Sequence, residues 1–229
     1  MNNFKNLKYV GAIAVSLLVL QFVGVAAAQA QSDGDSQWIA RLHFVKTWPG
    51  SDAFRVEDPE NVEPPIFTEF WADGGNGFNL EVERMIRPNI GVYLGATFAN
   101  MKTNLKFERG DQFLYSNDRV DMRQWNLGGN YHFSFNGRAD VYAGVLVSWV
   151  NFSSSTFYFS DIDREYRAEY DSELSGGLNG GIDFPVAMDG KLVVSGQLRY
   201  LFLALESDSG IAANTIDPLQ GYIGVGYRF

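Results

Sequence analysis

The feature that most constrains this chain is a two-residue alternation of apolar and polar or small side chains that returns eight times. In the last instance Leu219, Gly221, Ile223, Val225, Tyr227 and Phe229 share one face, and Gln220, Tyr222, Gly224, Gly226 and Arg228 share the other. Period two is the mark of an extended strand with one apolar face. The same pattern runs through residues 38–44, 78–83, 90–98, 124–133, 174–183 and 191–200. Residues 139–152 complete the set of eight, although both faces of that segment are apolar enough for lipid.

The connections sort themselves by length. Arg87-Pro88-Asn89, Phe135-Asn136-Gly137-Arg138 and Ala187-Met188-Asp189-Gly190 are tight, and Asn-Gly and Asp-Gly supply the positive φ angles of short hairpins. The other four, residues 49–76, 107–121, 153–173 and 207–218, are long and polar. Short and long alternate strictly. A soluble barrel has no reason to sort its loops in this way, whereas a barrel crossing a membrane does. The pattern predicts an all-β fold: an eight-stranded antiparallel transmembrane β-barrel with short periplasmic turns and long extracellular loops.

The first thirty residues follow a different rule. Lys5 and Lys8 precede an almost unbroken apolar run, and Ala28-Gln29-Ala30 offers the small-x-small pattern of a signal-peptidase site. Residues 1–30 are therefore expected to be a cleavable secretory signal peptide, cut before Gln31, and residues 31–229 the barrel. Removal takes the formal charge from −9 to −11, which argues against nucleic acid as a partner. With no cysteine, disulfides, thiolate catalysis and zinc–thiolate sites are excluded.

Alternation also assigns the faces. Arg41, Glu81, Glu83, Gln124, Asn126, Asn130, Asn179, Asp183, Gln197, Arg199 and Arg228 fall on the inner side. Eight strands leave an interior just wide enough for side chains, so opposite charges there are expected to pair into a polar plug. Trp48, Trp71, Trp149, Phe152 and Phe107 fall at the long-loop ends of strands, and Phe133, Phe135, Phe184, Tyr227 and Phe229 at the short-turn ends. They are expected to form the two aromatic girdles of the membrane interfaces.

The end of the chain, Gly221-Tyr222-Ile223-Gly224-Val225-Gly226-Tyr227-Arg228-Phe229, resembles the C-terminal strand of bacterial outer-membrane proteins. Residues 91–98 and 180–200 resemble the OmpW-like and OmpA-membrane-domain-like small barrels. The resemblance implies outer-membrane lipids and lipopolysaccharide as surroundings. It also implies barrel-assembly machinery and periplasmic chaperones as partners in biogenesis, with Tyr227 and Phe229 as the assembly signal.

Little in the sequence suggests chemistry. His132-Phe133-Ser134 is similar to the His-x-Ser pair of lipid A deacylase barrels, but Phe135 intervenes before Asn136 and the pair lies at a periplasmic turn. His43 sits beside Arg41 on the inner face, where a satisfied interior group is the simpler reading. The loops are acidic, with Asp52, Glu57, Asp58, Glu60, Glu63, Glu69 and Asp73 against Arg55 and a second cluster at 161–165, but their spacing matches no calcium loop. Neither a cofactor nor a metal is expected. The function expected is non-enzymatic, structural or surface-interacting. The alternatives are a narrow conduit for small apolar molecules, as the OmpW resemblance implies, and a lipopolysaccharide-modifying enzyme.

Overall fold

The computed structural model describes residues 37–50, 54–57, 66–135, 138–160, 163–205 and 214–229. The proposed cleavage site at Ala28, Ala30 and Gln31, residues 51–53 and 58–65 of the acidic first loop, and residues 161 and 162 of the second acidic cluster lie outside the described residues. Within them run fourteen strands: β1 (Trp38–Trp48), β2 (Phe54–Glu57), β3 (Ile66–Asp73), β4 (Gly75–Arg87), β5 (Ile90–Arg109), β6 (Gln112–Phe135) and β7 (Ala139–Phe152), then β8 (Ser155–Phe159), β9 (Arg164–Ala168), β10 (Glu173–Ala187), β11 (Leu192–Phe202), β12 (Ala204–Leu205), β13 (Asn214–Thr215) and β14 (Leu219–Arg228).

Eight of these, β1, β4, β5, β6, β7, β10, β11 and β14, close a ring in which every neighbour is antiparallel and β14 pairs back onto β1. The paired residues can be followed once round the wall. From Glu173 the path runs through Val150, Gln124, Thr97, Asn79, His43, Gly224 and Ser195 to Asp183, ten residues further along the same strand. A stagger of that size in eight strands implies a tilt of about 40°.

The periplasmic turns are short. Pro88-Asn89 joins β4 to β5, and Met188–Gly190 joins β10 to β11. In the second turn Met188, Asp189 and Gly190 all take positive φ, at 54°, 52° and 87°. The sequence marked Asp189-Gly190 for this conformation; the methionine joins them.

The extracellular side departs from expectation. Residues 107–121 are not a loop: β5 and β6 run on as a hairpin whose turn is Gly110-Asp111. Above β4, across an irregularity at Gly74, β3 continues along β5 as far as Ile66↔Arg109. The segment after β7 holds the β8–β9 hairpin. The physical reason is an inversion of faces. Inside the membrane β5 is apolar outward (Val92, Leu94, Phe98) and polar or small inward (Gly91, Gly95, Thr97). Beyond Ala99 it turns Met101 and Leu105 inward, fully buried, and Lys102 and Lys106 outward. Above the lipid the wall is an ordinary water-soluble sheet, and a search for apolar-outward alternation ends where the membrane does.

Candidate functional site

The interior has three levels. On the periplasmic half lies a charged layer. Arg41 Nη1 meets Glu81 Oε1 at 3.1 Å and Glu83 Oε2 at 2.6 Å, while its Nη2 meets Asp183 Oδ2 at 2.8 Å. Arg199 Nη2 reaches the other oxygen of Glu81 at 3.2 Å. Towards the periplasm Arg228 pairs with Asp140 at 3.1 Å. His132 lies 3.0 Å from both Glu83 and Asp140 through its two ring nitrogens. Only the doubly protonated ring donates from both. In that form Arg41, Arg199, Arg228 and His132 balance Glu81, Glu83, Asp183 and Asp140. Burial without such pairing would be prohibitive.

Two glycines make room for this layer. A Cβ at Gly128 would strike the Tyr93 ring, and one at Gly181 would strike Tyr142. Those rings in turn lie against the cations: Tyr142 is 4.9 Å from the Arg41 guanidinium and Tyr93 is 5.9 Å from Arg199.

Beside the charges runs a neutral chain of donors. Asn126 Nδ2 donates to Thr97 Oγ1 at 3.3 Å, and Thr97 donates to Asn79 Oδ1 at 2.9 Å. Asn79 Nδ2 then faces His43 Nδ1 at 3.2 Å, and His43 Nε2 faces Ser195 Oγ at 3.0 Å. Serine, histidine and asparagine in a row look like a nucleophile with its base. In this arrangement Asn79 donates to Nδ1, which leaves the proton on Nε2, and Ser195 Oγ accepts from it. All three are almost wholly inaccessible.

The middle level is polar and less satisfied. Gln124 and Asn126 on β6, Ser148 on β7 and Gln197 on β11 each keep at least one buried side-chain atom without a partner. On the extracellular side Met101, Leu105, Val120, Met122, Leu201 and Leu203 pack into an apolar core, roofed by Phe157 and Phe159 of the β8–β9 hairpin. The Tyr170 hydroxyl, 2.7 Å from Ser155 Oγ at this level, is pushed above its ordinary pKa by burial. An open cleft of about 970 Å³ separates the tips of the β5–β6 and β8–β9 hairpins, lined by Phe107, Phe113, Leu114, Phe159, Tyr166, Arg109 and Arg164.

The structure places Arg41, Glu81, Glu83, Asp183 and Arg199 in one cluster, with Asn130 and Asn179 bonded at its edge. Gln124, Asn126 and Gln197 sit in the middle level, and Arg228 is partly exposed at the periplasmic rim. Tyr227 and Phe229 lie on the outer face at that rim, ring centroids 5.0 Å apart. Trp48, Trp149, Phe133 and Phe184 face outward as girdle residues. Three expected girdle members do not. Phe107 and Phe152 turn inward against the apolar core, and Trp71 stands on the outer face above the girdle, stacked on Tyr115. The first two share the inward parity of Leu105 and Val150, which was the available signal. The sequence reading missed Asp140, because its strand looked apolar on both faces. It also left out Asn79 and Ser195, whose roles depend on cross-strand partners. Among the described residues no group of three His, Asp or Glu side chains is arranged to hold a metal.

The comparisons with known proteins agree with this architecture. Residues 15–229 match the family described as the outer membrane protein beta-barrel domain. The chain belongs to that family. Outer membrane protein OprG from Pseudomonas aeruginosa superposes with a TM-score of 0.64 at 16% identity, covering 85% of this chain and 96% of OprG. The outer membrane protein AlkL, determined in lipid bilayers, gives 0.53 at 18% identity, covering 85% and 90%. At such identities the likeness is one of fold. No protein with a curated description matches the sequence. As a member of the family, the chain is an outer-membrane protein with its eight-stranded ring among lipids.

Proposed function

We propose that this outer-membrane barrel is non-enzymatic and closed along its axis, and that it works as a structural or surface-interaction protein through its extended extracellular sheet. One observation carries the reading: Arg41, Glu81, Glu83, Asp183 and Arg199 interlock across the lumen, none more than 1% accessible. An ion crossing the barrel would have to break several buried pairs at once. The near-complete burial of Ser195, His43 and Asn79 supports the absence of a serine-type catalyst. The test is planar-bilayer recording with the refolded protein. Background conductance is expected, and a steady open-channel current would overturn the reading.

A second reading, a conduit for small apolar molecules, is favoured by the apolar core and the aromatic-lined cleft above the seal. Such a route would have to leave sideways through the wall, above Arg199. Faster uptake of a labelled small hydrophobe by cells carrying the barrel would establish it. Export is proposed to follow cleavage before Gln31, which N-terminal sequencing of the purified envelope protein tests.

A further inference from the structure

The outer wall carries a ladder of cations whose height is the informative quantity. On the lipid-facing side of β5 and β6 the apolar band ends at Phe98 and Trp125, ring centroids 6.0 Å apart. Next to Phe98 in the ladder is Arg123, and further up Lys102 stands directly opposite Arg119. All three are exposed, while the alternate residues Met101, Val120 and Met122 are buried inside. Like charges directly opposite in an antiparallel pair oppose folding. The carboxylates nearby are Asp73, across from Lys102 on β3, and Asp121, between the two arginines on β6. Neither forms an ion pair with Lys102, Arg119 or Arg123, and among the described residues those three cations have none. Asp73 instead accepts from Asn104 at 3.0 Å.

From the rise per residue and the strand tilt, Arg123 stands roughly 5 Å above Trp125, and Lys102 and Arg119 stand roughly 12–15 Å above it. A phospholipid headgroup layer is only about 5–8 Å thick on each side of the hydrocarbon. It reaches Arg123 and stops short of the pair. An anion that reaches all three belongs to a tall headgroup, phosphorylated near the acyl chains and acidic again in the sugars above. Trp71 and Tyr115, stacked 5.9 Å apart on the outer face further out along the same sheet, offer the sugars of that headgroup an aromatic surface. The face is continuous with the lipid-facing wall, so what covers it is a membrane component. We infer that Lys102, Arg119 and Arg123 form a binding strip for the phosphorylated inner headgroup of lipopolysaccharide on the outside of the barrel.

The mature barrel, refolded into phosphatidylcholine vesicles, is compared with and without rough lipopolysaccharide or charge-matched phosphatidylglycerol. The midpoint of its heat-induced gel-mobility change is the readout. Lipopolysaccharide should raise the wild-type midpoint, and added salt should shrink that rise. Lys102→Gln/Arg119→Gln should lose most of the rise. In phosphatidylcholine alone its midpoint should equal or exceed the wild type, because a repulsion has been removed. Arg167→Gln, which removes a cation from the β9 hairpin strand, should leave the rise intact. Equal response of wild type and double variant to lipopolysaccharide overturns the proposal. So does a phosphatidylglycerol shift as large as that of lipopolysaccharide, which would mark a phospholipid-level contact, and so does a double variant destabilised in phosphatidylcholine alone.

Discussion

Arg41 on β1 and Asp183 on β10, 142 positions apart, meet across the lumen with Nη2 2.8 Å from Oδ2 and Nε 3.2 Å from the same oxygen. The guanidinium also holds Glu81 and Glu83, so one side chain ties β1 to β4 and β10. Replacing it by methionine preserves much of the volume and leaves three buried carboxylates short of a cation. Removing one partner of a buried ion pair costs about 3–5 kcal/mol. Arg41→Met should therefore lower refolding stability in vesicles by that order, measured by urea titration. Adding Glu81→Gln should restore part of it by removing one orphaned charge.

Phe157 is almost wholly buried and meets Phe70 edge-to-face at 6.5 Å. It anchors the β8–β9 hairpin to the apolar core above the membrane. Phe157→Ala is expected to cost about 3–5 kcal/mol of packing, confined to the extracellular end because the ring of eight strands does not depend on it. Protease added to intact cells should then cut near residues 160–163, while the remaining barrel keeps its heat-modifiable mobility. A variant as resistant as the wild type would remove the hairpin's anchoring role.

The eight strands and the turns at Pro88-Asn89 and Asp189-Gly190 were legible because period two reports the face directly, and lipid and lumen demand opposite polarities. The same logic picked out Arg41, Glu81, Glu83, Asp183 and Arg199 as inward residues. It could not say that Arg41, and not Arg228, would hold three carboxylates, because stagger decides which inward residues share a level. That stagger is a property of the closed ring and no single strand carries it. The extracellular sheet was hidden for a different reason: Met101 and Leu105 alternate as regularly as Val92 and Phe98, but with the apolar side reversed. Read as a membrane strand, such a segment looks like a polar loop.

Gly128 and Gly181 are inward positions where a side chain would collide with Tyr93 and Tyr142. Valine at either should force the ring aside and disturb its cation contact, at about 1–3 kcal/mol for overpacking. Gly176, which faces outward and has ample space, should accept valine with a much smaller change. Vesicle refolding of the three variants compares the positions directly.

The last strand ends on an outward pair, Tyr227 and Phe229, and the Phe229 amide donates to Trp38 O at 2.9 Å as part of the closing seam. If these residues carry the assembly signal, removing Phe229 should slow insertion in cells and expose the precursor to periplasmic proteolysis. Refolding into vesicles without assembly machinery should change far less, since one edge hydrogen bond is worth about 0.5–1.5 kcal/mol. Pulse-chase labelling beside in-vitro refolding separates the two effects. Equal insertion of the truncated chain in cells would refute the assignment.

Faces can be tested against register. Val225 and Leu198 are outward, 51% and 58% exposed to the surroundings of the barrel, and lie near the middle of the apolar band on neighbouring strands. Arginine at either should cost about 2–4 kcal/mol at the midplane. The inward Gln197 has neither side-chain polar atom bonded, and Asn126 gives only the one bond to Thr97. Gln197→Ser should therefore be nearly neutral, and Asn126→Ser should cost no more than a single hydrogen bond, about 0.5–1.5 kcal/mol. A slip of one residue would exchange the two pairs, because alternation leaves no intermediate face. Stability of all four variants in lipid vesicles is the measurement. Tolerated arginines together with destabilising serines would mean that the wall is inside out.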